Sequence, residues 1–178
     1  MAPPVLVEPV KALIAILWSD EAALASALTV IRETWGEIDF LGPDRPFDVT
    51  DYYDREMGRR PSRRLVSLDR LVPPESLAAM KLTANAIEDR LASPTGRLVN
   101  LDVGYLDHAK IVLGSLKFAG QKIQLSDGVY ADLIARYRDG RYQPFDWTFP
   151  DFRDGRYDGE LHEIRERYRA QRRAGRTA

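Results

Sequence analysis

The chain has 178 residues, 44% hydrophobic and 30% charged, with 26 Lys and Arg against 27 Asp and Glu, a net charge of −1 and no cysteine. That composition suits one domain of ordinary size with a real core, and disorder is not the default expectation. The balanced charge gives no global basic field to gather nucleic acid, and the lack of cysteine removes disulfides, thiolate metal sites and cysteine nucleophiles, which fits a reducing, cytoplasmic setting.

In chain order, residues 1–10, with Pro3, Pro4 and Pro9, read as an extended N-terminal segment. The apolar run Lys11–Trp18 has strand length. It is too short to span a bilayer, and without a basic leader or a small-residue cleavage site it is not expected to be a signal peptide. Ser19 or Asp20 caps a helix whose Leu24, Leu28, Ile31 and Trp35 share one face, with Gly36 as its stop. "EIDFLG" (37–42) is a short strand, "GPDRP" (42–46) a loop, and "RRLVSL" (63–68) another strand. Pro73 and Pro74 precede a second helix striped by Leu77, Met80, Ala84, Ile87 and Leu91, closed by "SPTG" (93–96). "RLVNLDVGYL" (97–106) alternates as a strand, and "KIVLGSLK" (110–117) suits a buried one. From Gln121 to Phe145 the chain reads as a meander, with Asp127-Gly128 and Asp139-Gly140 as hairpin turns. "RDGRY" occurs at 138–142 and 153–157; the first copy is hairpin chemistry and the second a loop before the last helix, so the recurrence is read as chance. Leu161, Ile164 and Tyr168 stripe a final helix ending in the Arg-rich run 165–178.

The predicted fold class is α+β: a ferredoxin-like β-α-β-β-α-β core, extended by an antiparallel hairpin meander and a C-terminal helix, with helices covering one face of the sheet. One domain is expected over 11–170, with 171–178 as a flexible Arg-rich tail.

Three stretches concentrate chemistry. In "FDVTDYYDREMG" (47–58) Asp48, Asp51 and Asp54 recur at threes; on a helical turn they share a face and could hold Mg²⁺, on a strand they point apart. With Gly58 and the flanking loop, the plainer reading is a solvated acidic turn in which Asp51 caps a short helix. The adjacent rings of Tyr52 and Tyr53 must point different ways, so one is expected to line a wall. In "NLDVGYLDHAK" (100–110) Asn100 and Asp102 share one strand face and Val99, Leu101 and Val103 the other; Gly104 and Tyr105 then mark a strand end with close backbone approach. With Lys110 and Lys117 these could orient a phosphate or sugar; the alternative is a buried polar pair serving the backbone. In "PFDWTFPDFR" (144–153) Trp147, Phe149 and Phe152 form a rigid aromatic loop that caps the core or walls a pocket.

The absences are sharper. His108 and His162 are the only histidines and lie in different elements, which argues against zinc. No G-x-x-x-x-G-K-[ST] loop, G-x-G-x-x-G turn or G-x-S-x-G elbow occurs, so NAD is not expected, and neither is haem.

The chain from about residue 8 to 170 resembles a bacterial family catalogued as a domain of unknown function, number 4416. The resemblance rests on "ALIAILWSDE", "FDVTDYYDREMG", "RLVNLDVGYLDHAKIVLGSLK" and "DGVYADLIARYRDGRYQPFDWTFPDFR" in that order. Val103 stands where the family is expected to show proline, and Gln121 and its neighbours where a histidine-bearing version is usual. Some members carry a GTP-binding label, which this sequence does not support: the phosphate loop and Asn-Lys-x-Asp are absent, and Asp102-Val103-Gly104 is one residue short of Asp-x-x-Gly. The resemblance implies no activity, and whether the protein is an enzyme stays open.

The functional expectation is a small anionic-ligand site, for a nucleotide or phosphosugar with or without Mg²⁺, between segments 47–58 and 100–117. Asp48, Asp51 and Asp102 are its candidate catalytic groups, and Asp48 and Asp51 its candidate metal ligands. Thr50, Tyr52, Tyr53, Asn100, Gly104, Tyr105, Lys110, Lys117 and Trp147 are its candidate binding residues. The alternatives are a non-enzymatic protein-interaction module and, ranked last, RNA contact through the Arg-rich end. No membrane partner is expected.

Overall fold

A computed structural model describes residues 3, 7–57 and 61–175, with only the backbone of Asp54 and Arg55. Pro4, Gly58 and residues 176–178 therefore lie outside the described residues, as does the Asp54 side chain.

The first strand, β1 (Val10–Trp18), leads through helix α1 (Glu21–Trp35) to β2 (Ile38–Leu41). Asp20 caps α1 by accepting the Ala23 N–H at 2.7 Å, and Gly36 ends it at φ +98°, donating to the Arg32 carbonyl. The predicted loop contains a two-residue strand, β3 (Arg45–Pro46), followed by a single helical turn, α2 (Asp54–Met57). Next come β4 (Ser62–Val72), helix α3 (Leu77–Leu91), β5 (Val99–Leu106) and β6 (Lys110–Ser115). The meander is β7 (Ile123–Gln124), β8 (Tyr130–Arg138) and β9 (Arg141–Pro144), and the chain closes with α4 (Pro150–Arg153) and α5 (Asp158–Ala174). Both Asp-Gly pairs turn at positive φ, as two-residue hairpins require: Asp127 +53° and Gly128 +75°, Asp139 +52° and Gly140 +82°.

Among the described residues nine strands form one sheet in the order β2-β4-β1-β5-β6-β8-β7, with β3 added to β4 and β9 to β8, and every paired register is antiparallel. The protein is thus α+β. Ala12, Ile14 and Ile16 of β1 pack with Leu24, Leu28 and Ile31 of α1 and Met80, Ala84 and Ile87 of α3. Leu13 and Ala15 face the other way, against Leu161, Ile164 and Tyr168 of α5. Helices therefore cover both faces, not one. The physical reason is legible in β1, which is apolar at nearly every position because neither of its faces meets water. Among the described residues no helix is long and apolar enough to cross a membrane.

One irregularity positions the site. β5 and β6 pair only at Gly104–Leu113, Tyr105–Val112 and Leu106–Ile111. At Gly104 they are pressed together: a Cβ there would lie 2.2 Å from the Val112 carbonyl oxygen and 2.5 Å from Leu113 Cδ2. Gly104 is not a strand end, as the sequence suggested; β5 continues to Leu106. Toward residue 99 the two strands are no longer paired, and a gap opens in the sheet.

Gly104→Ala is expected to lower the unfolding free energy by about 1–3 kcal/mol, the usual range for overpacking. Gly120→Ala, with nothing within 4 Å of the added carbon, should stay within about 0.5 kcal/mol. Urea unfolding of both variants checks this, and equal losses would contradict the close approach at Gly104.

Candidate functional site

The gap is a cleft of about 150 Å³. Leu101 of β5 has no strand partner on that side, so helix α3 supplies side chains instead. Glu88 Oε1 accepts the Leu101 N–H at 2.7 Å, and Lys81 Nζ donates to the Leu101 carbonyl at 3.1 Å. Lys81, Asn85 and Glu88 recur at i, i+4 and i+7, one step round from the apolar stripe, and all three line the cleft. Asn100 and Asp102 enter from β5, on the strand face opposite Leu101 and Val103. The far wall is Leu113 to Lys117, Lys122 and Asp132, with Tyr53, Arg97 and Phe149 around the rim.

The charges are interlocked. Lys81 lies 3.8 Å from Glu88, whose Oε2 accepts from Arg97 at 2.9 Å. Arg97 also donates to Asn100 Oδ1 at 2.9 Å and grips Glu56 with two bonds of 2.7 and 2.8 Å. Lys122 lies 3.4 Å from Asp132 and donates to Ser115 Oγ at 2.8 Å. Asp102 meets the buried Arg63 at 3.4 Å. Burial pushes the Glu88 carboxyl above the ordinary range, against the opposing pull of Lys81, the Leu101 N–H and Arg97. The Arg97 hydrogen bond holds Glu56 below it. Burial, then Asp102, pushes the Tyr53 phenol up to about 12. Three atoms in the lining are buried with no partner: Asn85 Oδ1, Asn100 Nδ2 and Asp132 Oδ1.

Segments 47–58 and 100–117 do converge, but through only some of the predicted residues. Tyr53, Asn100, Asp102 and Lys117 line the cleft, and the Tyr52 hydroxyl accepts from Lys117 Nζ at 2.7 Å at its edge. Asp48 is turned away to Arg156, at 3.0 Å. Asp51 is exposed and does not line the cleft; Thr50 Oγ1 accepts the Tyr52 N–H in a local turn. Among the described residues no group of three or more His, Asp or Glu is placed to hold a metal ion. Gly104 acts through the pinch below the cleft rather than in its lining. Tyr105 is also outside the lining, and Lys110 pairs with Asp107 in the β5–β6 turn. Trp147 stacks on Phe145, its rings 4.7 Å apart and 4° from parallel, and donates to the Leu133 carbonyl; its neighbour Phe149 reaches the cleft, while Phe152 caps the core. His108 packs on Tyr168, outside the lining. Four of the C-terminal arginines are engaged within the fold: Arg165 lies 3.5 Å from the Tyr137 ring centre, and Arg167, Arg169 and Arg172 pair with Glu163, Glu166 and Glu8.

Sequence reasoning missed Lys81, Asn85, Glu88, Arg97, Lys122 and Asp132. For α3 a signal existed, since a Lys, an Asn and a Glu at helical spacing flank the apolar stripe on one side. Nothing in their residue types marks Lys122 and Asp132, which meet through the register of β7 on β8, with Ile123 opposite Ala131 and Gln124 opposite Tyr130.

The fold and the site together define an α+β protein whose antiparallel sheet opens onto a polar, charge-lined cleft. The chain belongs to the family described as Domain of unknown function (DUF4416), which matches residues 8–168. A search of curated proteins and a search of solved structures returned no significant match.

The Glu56–Arg97 clasp has a pH signature. Because the folded state lowers the Glu56 pKa, its stabilisation is present above the unfolded value and is lost as pH falls through the folded one. The stability difference between the native chain and Glu56→Gln is expected to be at most about 1 kcal/mol at pH 7, as for a solvent-reached pair. It should shrink to zero as pH drops below the ordinary carboxylate value of 4.5. Denaturant midpoints of both proteins across the acid range check it. Glu88 carries the opposite sign: with its folded value raised, its contribution falls as pH rises from 4.5 upward.

Proposed function

We propose that the cleft between β5 and β6 is a small-ligand site for a nucleotide or phosphosugar, with Asn85, Asn100, Asp102, Lys117 and Asp132 as its recognising groups. The observation that carries this reading is the convergence of three unpartnered buried polar atoms, Asn85 Oδ1, Asn100 Nδ2 and Asp132 Oδ1, on one cavity. Each such atom costs roughly 1–3 kcal/mol while unsatisfied, and a ligand bearing hydroxyls and an anionic group supplies the missing partners. Asp102 is the one candidate catalytic carboxylate that lines the cleft. The reading of the core as ferredoxin-like draws support from the strand order β2-β4-β1-β5, all antiparallel, with α1 and α3 as the two crossovers. A cytoplasmic setting draws support from the absence of cysteine.

A thermal-shift panel of nucleotides and sugar phosphates, with and without Mg²⁺, tests the site. A true ligand at a hundred times its dissociation constant stabilises by about 2.7 kcal/mol, roughly 5–10 °C for a chain of this size. The shift should be lost in Asp132→Asn or Asn85→Ala. No shift with any compound would leave the three atoms to water and overturn the proposal.

A protein-interaction module is the second reading. It is favoured by Leu116, Phe118, Ile123 and Leu125, all exposed along the segment that contains the sheet-edge strand β7. In that reading a second copy of the chain covers the patch. Sedimentation should then show a concentration-dependent dimer that Phe118→Glu with Ile123→Lys abolishes; a monomer at all concentrations would dismiss it.

A further inference from the structure

The ionic groups around the cleft are largely matched to one another. Lys81 faces Glu88, Lys122 faces Asp132, Arg97 is shared by Glu88 and Glu56, and Asp102 meets Arg63. Two features stand outside that balance. The first is the set of unpartnered atoms: two acceptors, Asn85 Oδ1 and Asp132 Oδ1, and one donor, Asn100 Nδ2. Asn100 and Asp132 are only 5% and 6% exposed, so bulk water does not serve them. The second is Lys117. Its ammonium bonds the Tyr52 hydroxyl at 2.7 Å and lies 4.6 Å from that ring centre, and among the described residues no carboxylate comes within ion-pair distance of it.

These features select for different parts of one molecule. A phosphate offers acceptors, so it finds no match at two bare oxygens, one of them a carboxylate. A hydroxyl both donates and accepts, and two or three neighbouring hydroxyls satisfy two acceptors and one donor. The anionic end then belongs at Lys117, whose ammonium bonds a phenol among the described residues and feels Glu56 only at longer range. Size points the same way. About 150 Å³ is half or less of the roughly 300–1,000 Å³ that holds a drug-sized ligand, which suits a sugar phosphate better than a whole nucleotide.

We infer that the cleft binds a phosphorylated polyol, its hydroxyls held by Asn85, Asn100 and Asp132 and its phosphate by Lys117, with the Tyr52 hydroxyl displaced from the ammonium. This rests on the ligand-site reading above and narrows it from two ligand classes to one orientation of one class.

Calorimetric titration with glucose 6-phosphate, ribose 5-phosphate, their parent sugars, inorganic phosphate, GMP and GTP tests it. A sugar phosphate should bind more tightly than its parent sugar, than inorganic phosphate and than either nucleotide. Lys117→Ala, at a side chain on the rim, should weaken the sugar phosphate about tenfold, the scale of one charge-assisted hydrogen bond, and narrow its advantage over the parent sugar. Asn85→Ala should weaken sugar phosphate and parent sugar alike, with unfolding curves showing that both variants still fold. If GMP, GTP or inorganic phosphate binds as tightly as the sugar phosphates, or if Lys117→Ala leaves their affinity unchanged, the inference falls while the ligand site stands. If nothing in the series binds, both fall together.

Discussion

A β-sheet cannot open without leaving backbone N–H and C=O groups to be satisfied elsewhere, and the rest of the site follows from how this chain meets that demand at Leu101. Glu88 and Lys81 stand in for a missing strand. Each brings a formal charge into a place where charge is costly: both residues are buried, and burial raises the Glu88 carboxyl toward its neutral form. Arg97 answers Glu88, and its remaining donors go to Asn100 and Glu56. Glu56 lies in the α2 turn, so the position of that turn is tied through three side chains, Glu56, Arg97 and Glu88, to the Leu101 N–H on β5. The pinch at Gly104 sets where the demand begins, because only a residue without Cβ lets β6 come so close before it leaves.

A second buried network ties the C-terminal third of the chain to the same end of the sheet. Arg63 of β4 is 1% exposed, and it donates to Asp151 at 2.6 Å and to Asp102 at 3.4 Å. Asp151 also accepts from the Tyr157 hydroxyl at 3.0 Å, and the Arg63 guanidinium carbon lies 4.6 Å from the Phe47 ring centre and 5.7 Å from that of Phe152. Burying an arginine this deeply is tolerable only with partners on several sides. Asp102 thus belongs both to this network and to the cleft. Its carboxylate is fixed from behind by Arg63 and the residue lines the cavity, which suits the recognising role proposed for it.

Much of the scaffold was legible from the sequence because its signals are local. Asp20 and Gly36 bound α1, two Asp-Gly pairs set the hairpins, and the stripes of α1, α3 and α5 name the faces that are buried. What escaped was relational. The second covered face depends on where α5 returns, and no pattern within 161–168 says which surface it meets. The cleft is harder still, since it exists because two strands stop pairing. That is decided by the backbone crowding at Gly104 acting together with Lys81 and Glu88, some twenty residues away in sequence. Asn100 and Asp102 were visible because strand alternation alone places them on one face; Asp132 and Lys122 were not, because their meeting depends on pairing register.

The acidic motif "FDVTDYYDREMG" is better understood through its partners than through its composition. Its spacing of threes suggested one site, yet its residues diverge to separate neighbours. Asp48 goes to Arg156, in the turn before α5; Tyr52 to Lys117, past the end of β6; Tyr53 into the cleft; Glu56 to Arg97, at the start of β5. Phe47 and Met57, near its two ends, are buried around Leu17 of β1. The density of polar groups thus comes from a short clasp that must reach several distant parts of the chain in few residues. A clasp of that kind also couples the cleft to its surroundings. A ligand anion taking Lys117 would release Tyr52, while Glu56 and the buried ends would still anchor the turn. The segment's two tyrosines therefore have unequal parts, Tyr53 in the cleft wall and Tyr52 at its edge on Lys117, the contact that the proposed ligand would replace.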